Sequence, residues 1–275
     1  MGGPPLPEPQ PSGNSRPFRV LHMFSGPSSR KDSLSAYLRA VGIDADDMDT
    51  VNVDEVDQDV LDDSTWRRIK AKLQDGYYDF VFGGPPCKTF SASRNNRPGP
   101  PVLRDAAHPY GFPKSKAKLY KLTPQHFEQI RKDNLLAERM AEACDIMRGL
   151  GRGYCVEQPV PWGGAITMFS FESFRKLLRA GAKTSVLDQC MHEGPTRKPT
   201  ALLYGNCDFS ELEASCNHEP SEQVDSKGNT YMSPHPSYVG EKADDGSYLT
   251  QELAAYPAEL NCKMATIINR TVRGY

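Results

Sequence analysis

No apolar run in this 275-residue chain approaches the roughly 18 residues that a membrane-spanning helix requires, so insertion into a bilayer through helices is not expected. An excess of one charge is missing too. The 33 lysines and arginines stand against 35 aspartates and glutamates, a net charge of -2, so any contact with a polyanion must come from a local patch. Paired cysteines are not in view: seven is an odd count, and no apolar leader precedes them. Free thiols in a reducing, intracellular setting (nucleus or cytoplasm) are expected instead of a disulfide framework. The dinucleotide fingerprint Gly-x-Gly-x-x-Gly is also absent.

What is present fits a soluble globular chain with irregular additions. Hydrophobic residues make up 38% and the mean hydropathy is -0.59. The first 17 residues carry six prolines and three glycines, which reads as a disordered leader. From residue 18, strand-like and helix-like segments alternate. Val20 to Phe24 is a short apolar strand running into the small-residue turn Ser25-Gly26, and Leu34, Tyr37, Leu38 and Val41 then keep helical spacing up to Gly42. An acidic stretch from Asp44 to Asp63 leads to a helix with Trp66, Ile69 and Leu73 on one face. The strand Phe80-Val81-Phe82 follows, then a long helix around Glu128 to Leu150, a strand at Tyr154 to Val156, a helix carrying Phe171 to Leu178, and strands at Thr184 to Leu187 and Ala201 to Tyr204. This alternation implies an α/β, Rossmann-like fold, a mostly parallel sheet covered by helices on both faces. Residues 207–249 lose all period and read as a small irregular module. A closing helix is expected within residues 250–275, over Ala258 to Arg270.

Ligands of such sheets gather at the carboxyl ends of the strands, and the residues there carry the chemistry. Cys87 sits on the turn Gly83-Gly84-Pro85-Pro86-Cys87 directly after the buried strand at 80–82, where a rigid loop can present a nucleophile. Glu157, in Glu157-Gln158-Pro159, ends the strand at 154–156. Arg94, Arg97, Arg104, Lys114, Lys116, Lys118 and Lys121 follow the cysteine turn as a basic stretch, readable as a nucleic-acid contact or as a solvated loop. Cys207, Cys216, His218 and His235 have the side chains of zinc ligands, but their spacing fits no standard pattern. They read as polar loop residues, and no metal site is expected.

Taken in order, Phe24-Ser25-Gly26, Gly84-Pro85-Pro86-Cys87, Glu157-Gln158-Pro159 and Arg197-Lys198 before the strand at 201–204 resemble the motifs of the cytosine-C5 methyltransferase family over residues 18–206. The resemblance implies a methyltransferase catalytic domain with a reversed last strand and S-adenosyl-L-methionine as cofactor. It implies Cys87 as the nucleophile toward carbon 6 of cytosine, Glu157 as the acid at N3, and Arg197 and Lys198 as cations for the base carbonyl. Phe24, Ser25, Gly26 and Pro85 would line the cofactor site, Asp49 (with Asp46 and Asp47 as rivals) would take the ribose hydroxyls, and Asp59 the adenine amino group. Residues 207–249 would be a reduced target-recognition module. DNA is the expected partner, RNA the alternative, and a decayed nucleic-acid-binding homologue a third reading; a monomer is expected.

Overall fold

The computed structural model describes residues 16–26, 30–50, 58–95, 100–224, 228–236 and 255–274. Most of the expected leader, the turn Pro27-Ser28-Ser29, Arg97, and residues 225–227 and 237–249 of the expected module lie outside the described residues.

Strand β1 (Arg19–Met23) is followed by helix α1 (Leu34–Ala40), β2 (Asp44–Met48), α2 (Asp63–Gln74) and β3 (Phe80–Gly83). After β3 the chain runs through an irregular segment that includes short 3₁₀ turns and the one-turn α3 (Ala117–Tyr120), into the long α4 (Pro124–Gly149). Then come β4 (Gly153–Pro159), α5 (Glu172–Arg179), β5 (Lys183–Asp188), β6 (Pro199–Gly205), the hairpin β7 (Ser221–Val224) and β8 (Thr230–Ser233), and α6 (Ala258–Arg273).

Local chemistry explains the helix ends. Ser33 caps α1 by accepting the Ala36 N–H at 3.2 Å, and Gly42, at a φ of +77°, lets the chain turn away after its last residue. Asp62 caps α2 through the Thr65 N–H at 2.7 Å. At α4, Thr123 and His126 satisfy each other's backbone N–H groups with Pro124 in the first turn, where its missing N–H costs nothing.

The six-stranded sheet has the order β2-β1-β3-β4-β6-β5. Every pairing from β2 through β4 is parallel, whereas β6 runs antiparallel to both β4 and β5. The expected mostly parallel Rossmann-like sheet is therefore present, and its last strand is reversed. Side chains alternate between two apolar layers, as strand geometry requires. Leu21, Val81, Tyr154, Val156 and Leu203 meet α2, α4 and α5 on one face, while Val20, Phe80, Phe82, Cys155, Leu202 and Tyr204 meet α1 and α6 on the other. The central strands are buried on both faces and read as continuous apolar runs.

Two topological facts position everything functional. First, β2 and β3 lie on opposite sides of β1, so a crevice opens between the carboxyl ends of β1 and β3. Second, because β6 is reversed, it begins at the edge of the sheet where the parallel strands end. Arg197 and Lys198, just before β6, are delivered to that edge along with the ends of β3 and β4.

Periodicity missed β2, whose acidic sequence carries no apolar alternation, and the hairpin β7–β8. The hairpin's strands are four residues each and mostly exposed, with Val224 and Met232 turned to solvent. Neither strand shows the apolar alternation by which a half-buried strand is recognised.

Candidate active site

Two glycines end β3 because other atoms occupy the space where a side chain would begin. A Cβ on Gly83 would lie 2.7 Å from the Met140 sulfur, and one on Gly84 would lie 2.5 Å from the Tyr256 hydroxyl and 3.2 Å from Glu157 Oε2. Close approach, rather than turn geometry alone, demands glycine here. The following loop is held at several points. Gln158 Nε2 donates to the Pro85 carbonyl at 2.9 Å, and the Phe90 N–H closes a turn onto the Cys87 carbonyl at 2.9 Å. Thr89 Oγ1 donates to the buried Asp133 carboxylate at 2.6 Å and accepts from Arg104 at 2.7 Å. The Arg104 guanidinium lies over the Phe90 ring at 3.8 Å. Cys87 thus projects from a braced loop, partly buried.

Glu157 is buried at the end of β4, in the strand itself rather than after it. Its carboxylate accepts a hydrogen bond from the Tyr256 hydroxyl at 2.9 Å, a contact across 99 positions of sequence. The Lys198 ammonium lies 5.6 Å from the Tyr256 ring centroid. These groups feel one another. Burial raises the pKa of Glu157 above the ordinary carboxylate range, with the Lys198 charge and the Tyr256 hydrogen bond acting the other way. Burial, then the Glu157 charge, pushes the Cys87 thiol up to about 11, and Lys198 pulls it down. The pair consists of an acid that retains its proton more readily than an ordinary glutamate and a thiol that needs help to ionise.

Arg197, expected beside Lys198 at the same site, reaches elsewhere. Its Nε donates to the buried Asp188 carboxylate at 2.9 Å, on the last residue of β5. A cleft of about 180 Å³ opens next to Lys198 and Tyr256, with Arg30, Thr196 and Gln189 also on its walls.

Across the crevice, Phe24, Ser25 and Gly26 leave the end of β1. Phe24 takes a left-handed φ of +62° and its N–H donates to the Met48 carbonyl at 2.6 Å, so the turn is tied to the neighbouring strand. Gly26 has a φ of +72°, and among the described residues a Cβ there would meet nothing within 4 Å. Asp49 is the first residue past β2, paired with Asp59 through an isolated parallel bridge. Its two rivals have structural work: Asp46 accepts from the Tyr78 hydroxyl at 2.7 Å, and Asp47 is enclosed by His22, Ser35 and Arg39. A glycine turn, a partly buried aromatic and a carboxylate at adjacent strand ends fit an adenosine-bearing ligand with a charged tail. Pro85 is buried on the loop after β3, its carbonyl held by Gln158.

Within the basic stretch, the structure separates brace from surface. Arg104 is only 4% exposed, and Arg94 donates to the carbonyls of Lys88 and Pro101 at 2.7 and 2.9 Å. Both hold the loop together. Lys114, Lys118 and Lys121 are exposed around α3. Sequence reasoning missed Tyr256 as a partner of Glu157, and only its place before the closing helix hinted at a role.

No family model matches this chain, and no curated protein matches it. Among solved structures, the Entamoeba histolytica methyltransferase EhMeth is similar at 15% identity and a TM-score of 0.37, over 76% of this chain and 59% of that one. The chain therefore spans less than two thirds of that protein's length.

Proposed function

We propose that the protein transfers a methyl group from S-adenosyl-L-methionine to carbon 5 of cytosine in DNA. The observation that carries the reading is the cluster of Cys87, Glu157, Lys198 and Tyr256 at the sheet edge, beside the crevice between β1 and β3. When bound, the cofactor supplies an electrophilic methyl group. Phe24, Ser25, Gly26 and Pro85 would line its site, with Asp49 toward the ribose and Asp59 toward the adenine.

Carbon 5 of cytosine is a weak nucleophile until the ring is activated. The Cys87 thiolate bonds to carbon 6, the ring electrons move toward N3, and Glu157 donates its proton there. A Glu157 carboxyl with a raised pKa suits that donation. Lys198 lowers the cost of ionising Cys87 and faces the base carbonyl. After carbon 5 gains the methyl group, solvent takes its proton; the C5–H electron pair forms the C5=C6 bond, the C6–S pair leaves with the Cys87 sulfur as thiolate, and N3 returns its proton to Glu157, restoring the aromatic ring. The thiol must reach the ring face, so the base is unstacked before attack.

Incubation with S-adenosyl-L-methionine and DNA containing 5-fluorocytosine is expected to trap a covalent protein–DNA adduct, because fluorine cannot leave as a proton does. Cys87→Ser is expected to abolish it in a protein that still unfolds cooperatively. An adduct formed only with 5-fluorocytosine RNA would transfer the reading to RNA. Cofactor binding with no adduct on either polymer would leave a non-catalytic binding protein.

A further inference from the structure

Beyond the end of β5, four side chains from distant parts of the chain converge. Cys190 comes from the 3₁₀ turn Gln189–His192, Cys216 and His218 from the segment leading into β7, and His235 from the residues just after β8. One ligand-type atom from each lies within 4.8 Å of all the others. Cys216 Sγ is 3.4 Å from His218 Nδ1 and 3.3 Å from His235 Nε2, and the two imidazole rings meet edge to face. Zinc bonds of about 2.3 Å to sulfur and 2.0–2.1 Å to nitrogen place the ligand atoms of a tetrahedron roughly 3.3–3.8 Å apart. The two spacings from Cys216 fall at that edge length, and the other separations stay within 4.8 Å.

We propose that Cys190, Cys216, His218 and His235 bind one zinc ion in a closed structural site that fastens the β7–β8 hairpin to the carboxyl edge of the sheet.

Ligand type and number select the metal and its role. Two thiolates and two imidazoles suit zinc over magnesium or calcium, which take oxygen ligands. Four protein ligands leave no position for a reacting water, so the ion is structural. On binding, each thiol gives up its proton to solvent and the sulfur donates its electron pair to the ion.

The surrounding structure independently requires a fastening. A two-stranded hairpin is marginal in water, and this one exposes Val224 and Met232 instead of burying them. Small modules without a core are held by staples, of which a metal is one. The backbone around the four residues is already joined to the sheet: the Asp188 N–H donates to the Ala214 carbonyl at 2.8 Å, and the buried Asp188 carboxylate accepts the Cys216 N–H at 2.7 Å. The same carboxylate receives Arg197. Zinc would therefore also steady the loop that carries Lys198. Cys207, which the sequence groups with them by residue type alone, lies apart, its thiol donating to the carbonyls of Tyr154 and Gly205.

Elemental analysis of the full chain, purified under reducing conditions from zinc-supplemented culture, is expected to find about one zinc per chain. Cys216→Ser and Cys190→Ser are expected to lose it, with faster proteolysis between residues 214 and 236, while Cys207→Ser retains it. Because a ligand variant can fail to fold, the unsubstituted protein supplies the second measurement. After stripping with a chelator, titration with Co²⁺ is expected to give the intense visible bands of a tetrahedral site and a thiolate-to-cobalt charge-transfer band, both erased by Zn²⁺. The proposal is overturned by unsubstituted protein that carries no zinc and gives no thiolate–cobalt spectrum. Zinc loss in Cys207→Ser equal to that in Cys190→Ser, or a native Cys190–Cys216 disulfide found by mass spectrometry, would overturn it too.

Discussion

The sheet and the hairpin beyond it are stabilised in different ways. In the sheet, two continuous apolar layers enclose residues such as Phe82, Phe174 and Leu203 with no exposed surface at all. Each such side chain contributes roughly 1.5–3 kcal/mol through burial. The hairpin turns its apolar residues outward and gathers thiols and imidazoles at its base. A broad apolar core tolerates variation and supplies stability, whereas a module without one depends on a few directional contacts.

The contrast can be tested by substitution. Phe174→Ala, in the first layer, is expected to cost about 3–5 kcal/mol in urea unfolding, as large-to-small changes at fully buried aromatics do. A loss under 1 kcal/mol would show that this layer is not a close-packed core. Next in size is a polar site between β1 and α1. Burial works to raise the pKa of Asp47, but the hydrogen bond and charge of His22, with Ser35 and Arg39, hold it at about 2. A carboxylate with a depressed folded pKa stabilises the fold above its unfolded pKa and loses that contribution as pH falls through the folded one. Asp47→Asn is therefore expected to cost about 2 kcal/mol near neutral pH, the gap to the unsubstituted protein closing between about pH 4 and pH 2. A gap independent of pH would refute the linkage.

Smaller still is Tyr256→Phe. It removes a hydrogen bond that lowers the pKa of Glu157, so Glu157 should keep its proton to higher pH. Under the proposed methyl transfer, the alkaline limb of the rate is expected to move upward; a shift downward would separate Tyr256 from the titration of Glu157. At the bottom of the scale, Met232→Ala on the hairpin should change stability by less than about 0.5 kcal/mol, since the side chain is 68% exposed. A core-sized loss there would mean that the hairpin buries apolar surface against a partner.

Much of the fold was legible because its signals are local. The strand–turn–helix opening, the apolar run before Cys87 and the amphipathic closing helix each fall where the structure has β1 and α1, β3, and α6. Boundaries moved by a few residues where propensity gave way to pairing: β4 continues through Glu157 to Pro159 because β6 pairs with it across Leu202 to Thr200. The hairpin was not legible because exposed four-residue strands carry no period. Within the candidate site, the residue types at strand ends could be read, but Arg94 and Arg104 could not be told from surface cations. A charge buried against Thr89 and Phe90 and a charge in water are the same letter.

Local signals in the amino-acid sequence specified most of the strands and helices around the sheet and placed reactive side chains at the ends of its strands. Periodicity and turn chemistry act within a few residues, so they survive without knowledge of the rest of the chain. Only the tertiary structure decided which of those side chains meet. The reversed β6 brings Lys198 to the sheet edge, the entry to α6 sets Tyr256 against Glu157, and the end of β5 places Cys190, not Cys207, beside Cys216 and the two histidines. These are contacts across tens of residues. Strand order and direction select them, because packing two apolar layers leaves each loop only one edge at which to emerge.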